Sequence, residues 1–174
     1  MRILQLHCNS IEFTPTKKEI KSAEEITPET KHLDEVVVTF IAVEEGDDNT
    51  VAKKAITEIK DSMAKVGCKK LLLYPYAHLS SKLASPTSAL SVIKEMESLA
   101  TDLDVSRAPF GWTKSYKLDV KGHPLAENSK VITIGEGKDD TSEAVKSESK
   151  IKSYWYIMSP DGTMKEVEKF NFSP

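Results

Sequence analysis

His78 follows the apolar run KKLLLYPYA and precedes the serine-containing stretch LSS. In open α/β sheets, ligands bind beyond the carboxyl ends of strands. A histidine there could donate a hydrogen bond or steer a water. It could equally be a surface side chain that caps a loop carbonyl. Lys114 stands in PFGWTK, beside aromatic residues and shortly after a glycine. A lysine among aromatics is open to partial desolvation and could anchor a carbonyl or ribose oxygen; position alone favours a solvated strand lysine. Glu127, in GHPLAENSK, could accept a hydrogen bond from an amine, although its position suits an exposed glutamate as well. His123, between Gly122 and Pro124, reads first as a residue that shapes a loop.

Other chemistries lack their residues. His7 and Cys8 are neighbours on a strand, so their side chains point to opposite faces and cannot share a metal. No third or fourth ligand stands at zinc-like spacing, and no metal site is expected. Cys8 and Cys68 have no CxxC partner and outline no disulfide scaffold. GEG at 135–137 lacks the Lys-Ser/Thr ending of a phosphate loop. No Gly-x-Ser-x-Gly elbow presents a nucleophile. No cofactor is implied, and an enzyme built this way does little covalent chemistry with its own side chains.

The elements that must position these residues follow from periodicity. Residues 1–8 read as a partly buried strand, with 11–13 as a possible second one. Residues 14–34, rich in Lys, Glu, Thr and Pro, read as a solvated excursion. The run VVVTFIAV within 34–44 predicts a central strand buried on both faces. Ala52, Ala55, Ile56, Ile59 and Met63 recur at helical spacing, capped by Asn49 or Thr50 and ended by Gly67. Residues 69–76 form the next buried strand. Ser85 caps a second helix with Pro86 at its first position, where the missing N–H costs nothing. Two strand–helix–strand units therefore occupy the middle of the chain. Residues 105–134 read as short strands broken by Pro and Gly. Residues 135–150, Gly/Ser/charge-rich, read as a linker, and 151–174 as a β-hairpin around SPDGT.

The 174 residues suit one domain with a short extension. The net charge is −3, and of 24 basic residues only Arg2 and Arg107 are arginine. An autonomous RNA binder would usually show a basic stripe with several arginines. Any RNA affinity is therefore expected to come mostly from elsewhere in a larger protein or assembly. No apolar run approaches the roughly 20 residues that span a membrane, and the start is too polar for a signal peptide. The expected compartment is the cytoplasm.

Four strings occur in order: MRILQLHCNSIEF, FIAVE, YPYAHLSSKLASP and RAPFGWTKSYKLDVKGHPLAENSK. Together they resemble the N-terminal editing domain of archaeal threonyl-tRNA synthetases, which is related in fold to D-aminoacyl-tRNA deacylases. The resemblance runs from residue 1 to about residue 134, and the tail from about 150 resembles the strand pair leading toward the remaining synthetase domains. It implies a D-aminoacyl-tRNA deacylase-like α/β fold, a mixed sheet with flanking helices, and a homodimer. It implies hydrolysis of L-seryl-tRNA carrying the threonine anticodon, with D-aminoacyl esters as possible further substrates.

Carried over by motif, His78 and Lys114 would lie by the aminoacyl ester and its terminal adenosine. Val43 and Ala77 would offer backbone atoms, Pro75 and Phe110 would wall the adenine, and Glu127 would lie near the amino group. The sequence departs from the family at Thr113, where an aromatic is frequent, and at Asp119 and Val120, where Ser-Cys is frequent. Thr113 removes ring area from the pocket beside Lys114. The chemistry the resemblance implies suits the missing triad: the free 2′-OH of the terminal ribose helps activate a water, with Lys114 ordering both and His78 fixing the ester. A freestanding deacylase acting in trans, a non-catalytic module for tRNA ends or a synthetase partner, and a structural dimerisation domain are the rival readings.

Overall fold

The computed structural model describes residues 1–133 and 154–167, and the chain divides into two units, Met1–Lys138 and Asp139–Pro174. The first unit is built on a six-stranded mixed sheet. Its strands are β1 (Arg2–Lys18), β2 (Lys31–Ala42), β3 (Lys70–Pro75), β4 (Asp104–Arg107), β5 (Trp112–Val120) and β6 (Glu127–Val131). The order is β4-β3-β2-β1-β5, with β6 also on β1. β2, β3 and β4 run parallel, and β1 is antiparallel to β2, β5 and β6.

Two helices make the parallel crossovers: α1 (Asn49–Val66) and α2 (Pro86–Leu99). Both crossovers step the same way across the sheet, and right-handed connections then place both helices on one face. Ala55, Ile59 and Met63 of α1 and Val92, Ile93 and Met96 of α2 bury themselves there with Ile3, Val37, Ile41, Leu71 and Leu73. This is the mixed α/β sheet with flanking helices that the resemblance implies. Asp48 caps α1, its carboxylate accepting from the N–H groups of Thr50 (2.8 Å) and Val51 (3.1 Å). The cap thus falls one residue before Asn49, where a charged acceptor also meets the positive helix end. Gly67 closes α1 at φ 68°, and Ser85 caps α2 by accepting from Ser88 N–H at 3.2 Å, as their types predict.

Among the described residues, the opposite face carries no α-helix. It is covered because β1 is one curled strand of 17 residues rather than two short ones. Leu6 and Cys8 precede Asn9, Ile11 and Phe13 follow it, and all four face the same core. The inward parity changes at Asn9, opposite Glu35, which adopts φ 51°. The register against β5 shifts at the same place, as in a bulge that bends its strand. β5 is thereby brought over the second core, where Tyr116 meets the rings of Phe40 and Tyr74.

Residues 14–34 are not a free excursion. β1 continues to Lys18, and Glu24 is bonded to the segment before β5. In the second unit, β7 (Tyr156–Met158) and β8 (Met164–Glu166) pair antiparallel around Asp161. The segment 135–150, expected as a linker, lies outside the described residues.

Candidate functional site

A cleft of about 600 Å³ opens at the carboxyl ends of β2 and β3. The parallel arrangement puts those ends side by side, with Ile41 in register with Pro75. The loop after β3 is drawn across by main-chain bonds: Tyr76 N–H donates to Ile41 O at 2.8 Å, and Ala84 N–H to Val43 O at 3.0 Å. Pro86, Ala89 and Ile93 of α2 supply an apolar floor, and the start of β5 supplies the opposite wall.

Val43, Pro75, Ala77, His78, Phe110, Thr113 and Lys114 all line this cleft. Val43 is buried, and its carbonyl is engaged by Ala84. Ala77 and His78 open a single 3-10 turn, Ala77–Leu79, whose first amides have no partner within the turn. His78 is exposed, its ring set edge-on to Tyr76 with centroids 5.1 Å apart. Phe110 packs against the helix-side core. Thr113 donates its hydroxyl to Glu19 at 2.8 Å. That hydrogen bond lowers the Glu19 carboxyl below its ordinary value, helped by Lys17.

Glu127 is placed elsewhere. It stands exposed at the start of β6, opposite Leu6, and does not line the cleft. His123 sits in the turn before β6, its Nε2 2.9 Å from Nδ1 of His7, and its Nδ1 accepts from Leu125 N–H at 3.3 Å. Among the described residues, no group of three or more His, Cys, Asp or Glu side chains is arranged to hold a metal.

Lys114 is the chemically distinctive member. It shares one face of β5 with Trp112 and Tyr116, at the two-residue period of a strand. Its ammonium donates to the carbonyls of Pro109 (3.1 Å) and Trp112 (2.8 Å) and sits 4.9 Å from the Tyr74 ring centroid. Burial pulls its pKa down to about 8, and the Glu24 carboxylate opposes the fall. An ammonium has three N–H donors, so one remains for a bound molecule. Burial raises the Tyr74 phenol far above its ordinary range. Tyr116 is raised as well, first by its hydrogen bond with Tyr76. The cleft therefore combines an apolar floor, one aimed cation, neutral phenols and an exposed imidazole. It can hold a flat ring at one end and polarise an oxygen at the other.

Sequence reasoning passed over several members of this wall. Ile20 and Glu19 lie just past β1, in a stretch too polar to suggest a site. Tyr74 and Tyr116 read from sequence only as strand residues.

The sequence matches the family described as the archaea-specific editing domain of threonyl-tRNA synthetase over residues 1–132. The chain belongs to that family. Similar proteins include the threonine–tRNA ligase of Nitrosopumilus maritimus (strain SCM1), 66% identical over 99% of this chain and 29% of the relative. The ligase of Cenarchaeum symbiosum (strain A) is 53% identical over 99% of this chain and 28% of the relative. That of Thermococcus sibiricus (strain DSM 12597 / MM 739) is 43% identical over the same share of this chain. The chain thus spans less than a third of the length of these relatives. Among solved structures, the c-Myc DNA Unwinding Element Binding Protein shares the fold, with TM-score 0.58 at 8% identity, over 77% of this chain and 100% of the other. The cleft of this editing domain is built entirely within the matched residues.

Proposed function

We propose that this editing domain hydrolyses the ester of L-seryl-tRNA formed on threonine tRNA, and extends to D-aminoacyl esters. The observation that carries the reading is the cleft itself. It gathers a desolvated Lys114, His78 and an apolar floor at the strand ends, in a chain of the threonyl editing family. Serine differs from threonine by one methyl, a difference worth only about 1–3 kcal/mol in a binding pocket, so a second, hydrolytic sieve is needed.

The terminal adenine lies against Pro75 and Phe110, and the ester lies toward the polar end. The third N–H of the Lys114 ammonium orders the ribose 2′-OH and the attacking water. His78 fixes the ester carbonyl, and the amide of Ala77 adds a rigid contact. The water's oxygen bonds to the ester carbon, the 3′-oxygen leaves with a proton, and free serine is released. Catalysis is then by positioning and electrostatics, which supply several kcal/mol without a protein nucleophile. Glu127 does not line the cleft of this chain, and no contact to the substrate amine is assigned to it. The partners of the reading are the 3′ end of threonine tRNA, the remaining synthetase domains and a second copy in a homodimer, all in the cytoplasm.

The test is ester loss from seryl-tRNA and threonyl-tRNA made on the same threonine tRNA. Loss of serine with threonine spared is expected, and the loss should vanish in Lys114→Ala/His78→Ala and with a 2′-deoxy terminal adenosine. Retention of both esters at saturating chain overturns hydrolysis and leaves a module that binds tRNA ends.

A further inference from the structure

The two carbonyls that hold Lys114 belong to Pro109 and Trp112, which flank the turn leading into β5. Two residues from a distant stretch of chain hold that turn: Glu19 N–H donates to Gly111 O at 2.9 Å, and Glu24 makes three further bonds. The carboxylate of Glu24 accepts from Phe110 N–H at 2.8 Å. Its main-chain N–H donates to Phe110 O at 3.2 Å. Its carbonyl accepts from Trp112 Nε1 at 2.8 Å. Arg107 grips the same carboxylate with both terminal nitrogens, at 2.6 and 2.9 Å, while its Nε reaches Glu97 at 2.7 Å. Such a fork fixes direction as well as distance.

We propose that Glu24 is the positioning residue for Lys114: gripped by Arg107, it sets the carbonyls of Pro109 and Trp112 that aim the ammonium into the cleft. The inference rests on the assignment of Lys114 to the reaction. Two of these bonds go to the main chain of Phe110, next to the Pro109 carbonyl, and the third to the indole of Trp112, whose carbonyl is the other acceptor. Glu24 is itself kept charged. Burial works to raise its pKa, but the bonds from Arg107 and Phe110 outweigh it and bring it below the ordinary value. That charge in turn favours the protonated form of Lys114 against burial. The other titratable groups around the cleft are Glu19, Tyr74, Tyr76, His78 and Tyr116.

The test compares the wild-type chain with Glu24→Gln and Arg107→Lys. A glutamine turns an amide donor toward a guanidinium that has only donors. A lysine keeps the charge but cannot fork, so it also serves if Glu24→Gln does not fold. The titration of Lys114 is followed by carbon NMR of reductively methylated lysines, its signal assigned with Lys114→Arg. Seryl-tRNA hydrolysis is measured alongside. In Glu24→Gln the Lys114 midpoint should fall below wild type, and kcat should drop roughly 10- to 100-fold with KM within about threefold. Arg107→Lys should act in the same direction and less. An unmoved Lys114 midpoint in a folded variant overturns the proposal, whatever hydrolysis does. A moved midpoint with unchanged hydrolysis supports the positioning role and removes Lys114 from the reaction instead.

Discussion

Lys114 carries opposite consequences for stability and for activity. Its pKa in the folded chain is about 8, against an ordinary 10.5. Between these values the unfolded chain binds more protons than the folded one, so stability rises with pH across that window. The penalty is complete below pH 8 and is relieved as pH approaches 10.5. Lys114→Met, which keeps an unbranched stem without the charge, should therefore stabilise the chain at pH 7 by about 1–3 kcal/mol. The gain should shrink toward zero by pH 10.5, which urea unfolding at the two pH values will read. Activity runs the other way. In the reaction proposed above the ammonium, not the amine, offers its third N–H to the ribose, so hydrolysis above the spontaneous rate should decline as pH rises through about 8. A rate that climbs through the same point would make the neutral amine a general base.

At the scale of elements, the turn before β5 is the most constrained piece of the site. Gly111 has φ +78°, and a Cβ there would stand 2.8 Å from Ala23 Cα and 2.8 Å from Ile20 Cγ1. Gly67, with φ +68°, has nothing within 4 Å. Gly67→Ala should cost about 1 kcal/mol, the conformational term alone. Gly111→Ala adds a clash with main chain and should cost upwards of about 2 kcal/mol, or roughly 4–8 °C in Tm. Scanning calorimetry of the two variants separates the terms, and equal losses would show that the 20–23 segment yields. These elements also show what the sequence could and could not reveal. The parallel β2–α1–β3–α2 core was legible because its apolar runs and caps are local signals. β1 was not, since its inward parity changes at Asn9 and a two-residue period cannot be followed across the change. The contacts of Glu24 were hidden for another reason: its partner Arg107 is 83 positions away, and nothing in KSAEEIT distinguishes a clamped glutamate from a solvated one. Six of the seven residues carried over by motif line one cleft together with Thr113, where the sequence departs from the family, and motif alone did not reveal that Glu127 lies outside the lining.

The whole chain bears −3 charge, and both of its arginines are already engaged. Arg2 binds Glu44 at 3.0 Å, and Arg107 is locked between Glu24 and Glu97. Under the proposed function, phosphate recognition therefore falls to lysines, several of them paired: Lys17 with Glu19, Lys18 with Glu25, Lys117 with Glu12. Each phosphate neutralised releases condensed counterions, so few contacts mean a shallow salt dependence. Binding of threonine tRNA to this chain alone should be weak, with log K falling against log salt at a slope no steeper than about −3. Filter binding across a salt series measures it. A slope beyond about −5 would mean that surface lysines form a phosphate track despite their acidic partners. A shallow slope fits the function proposed above, in which this domain samples an acceptor end held by further synthetase domains. In that case joining this chain to such domains should raise its affinity for threonine tRNA, but not its rate of ester loss once the end is seated.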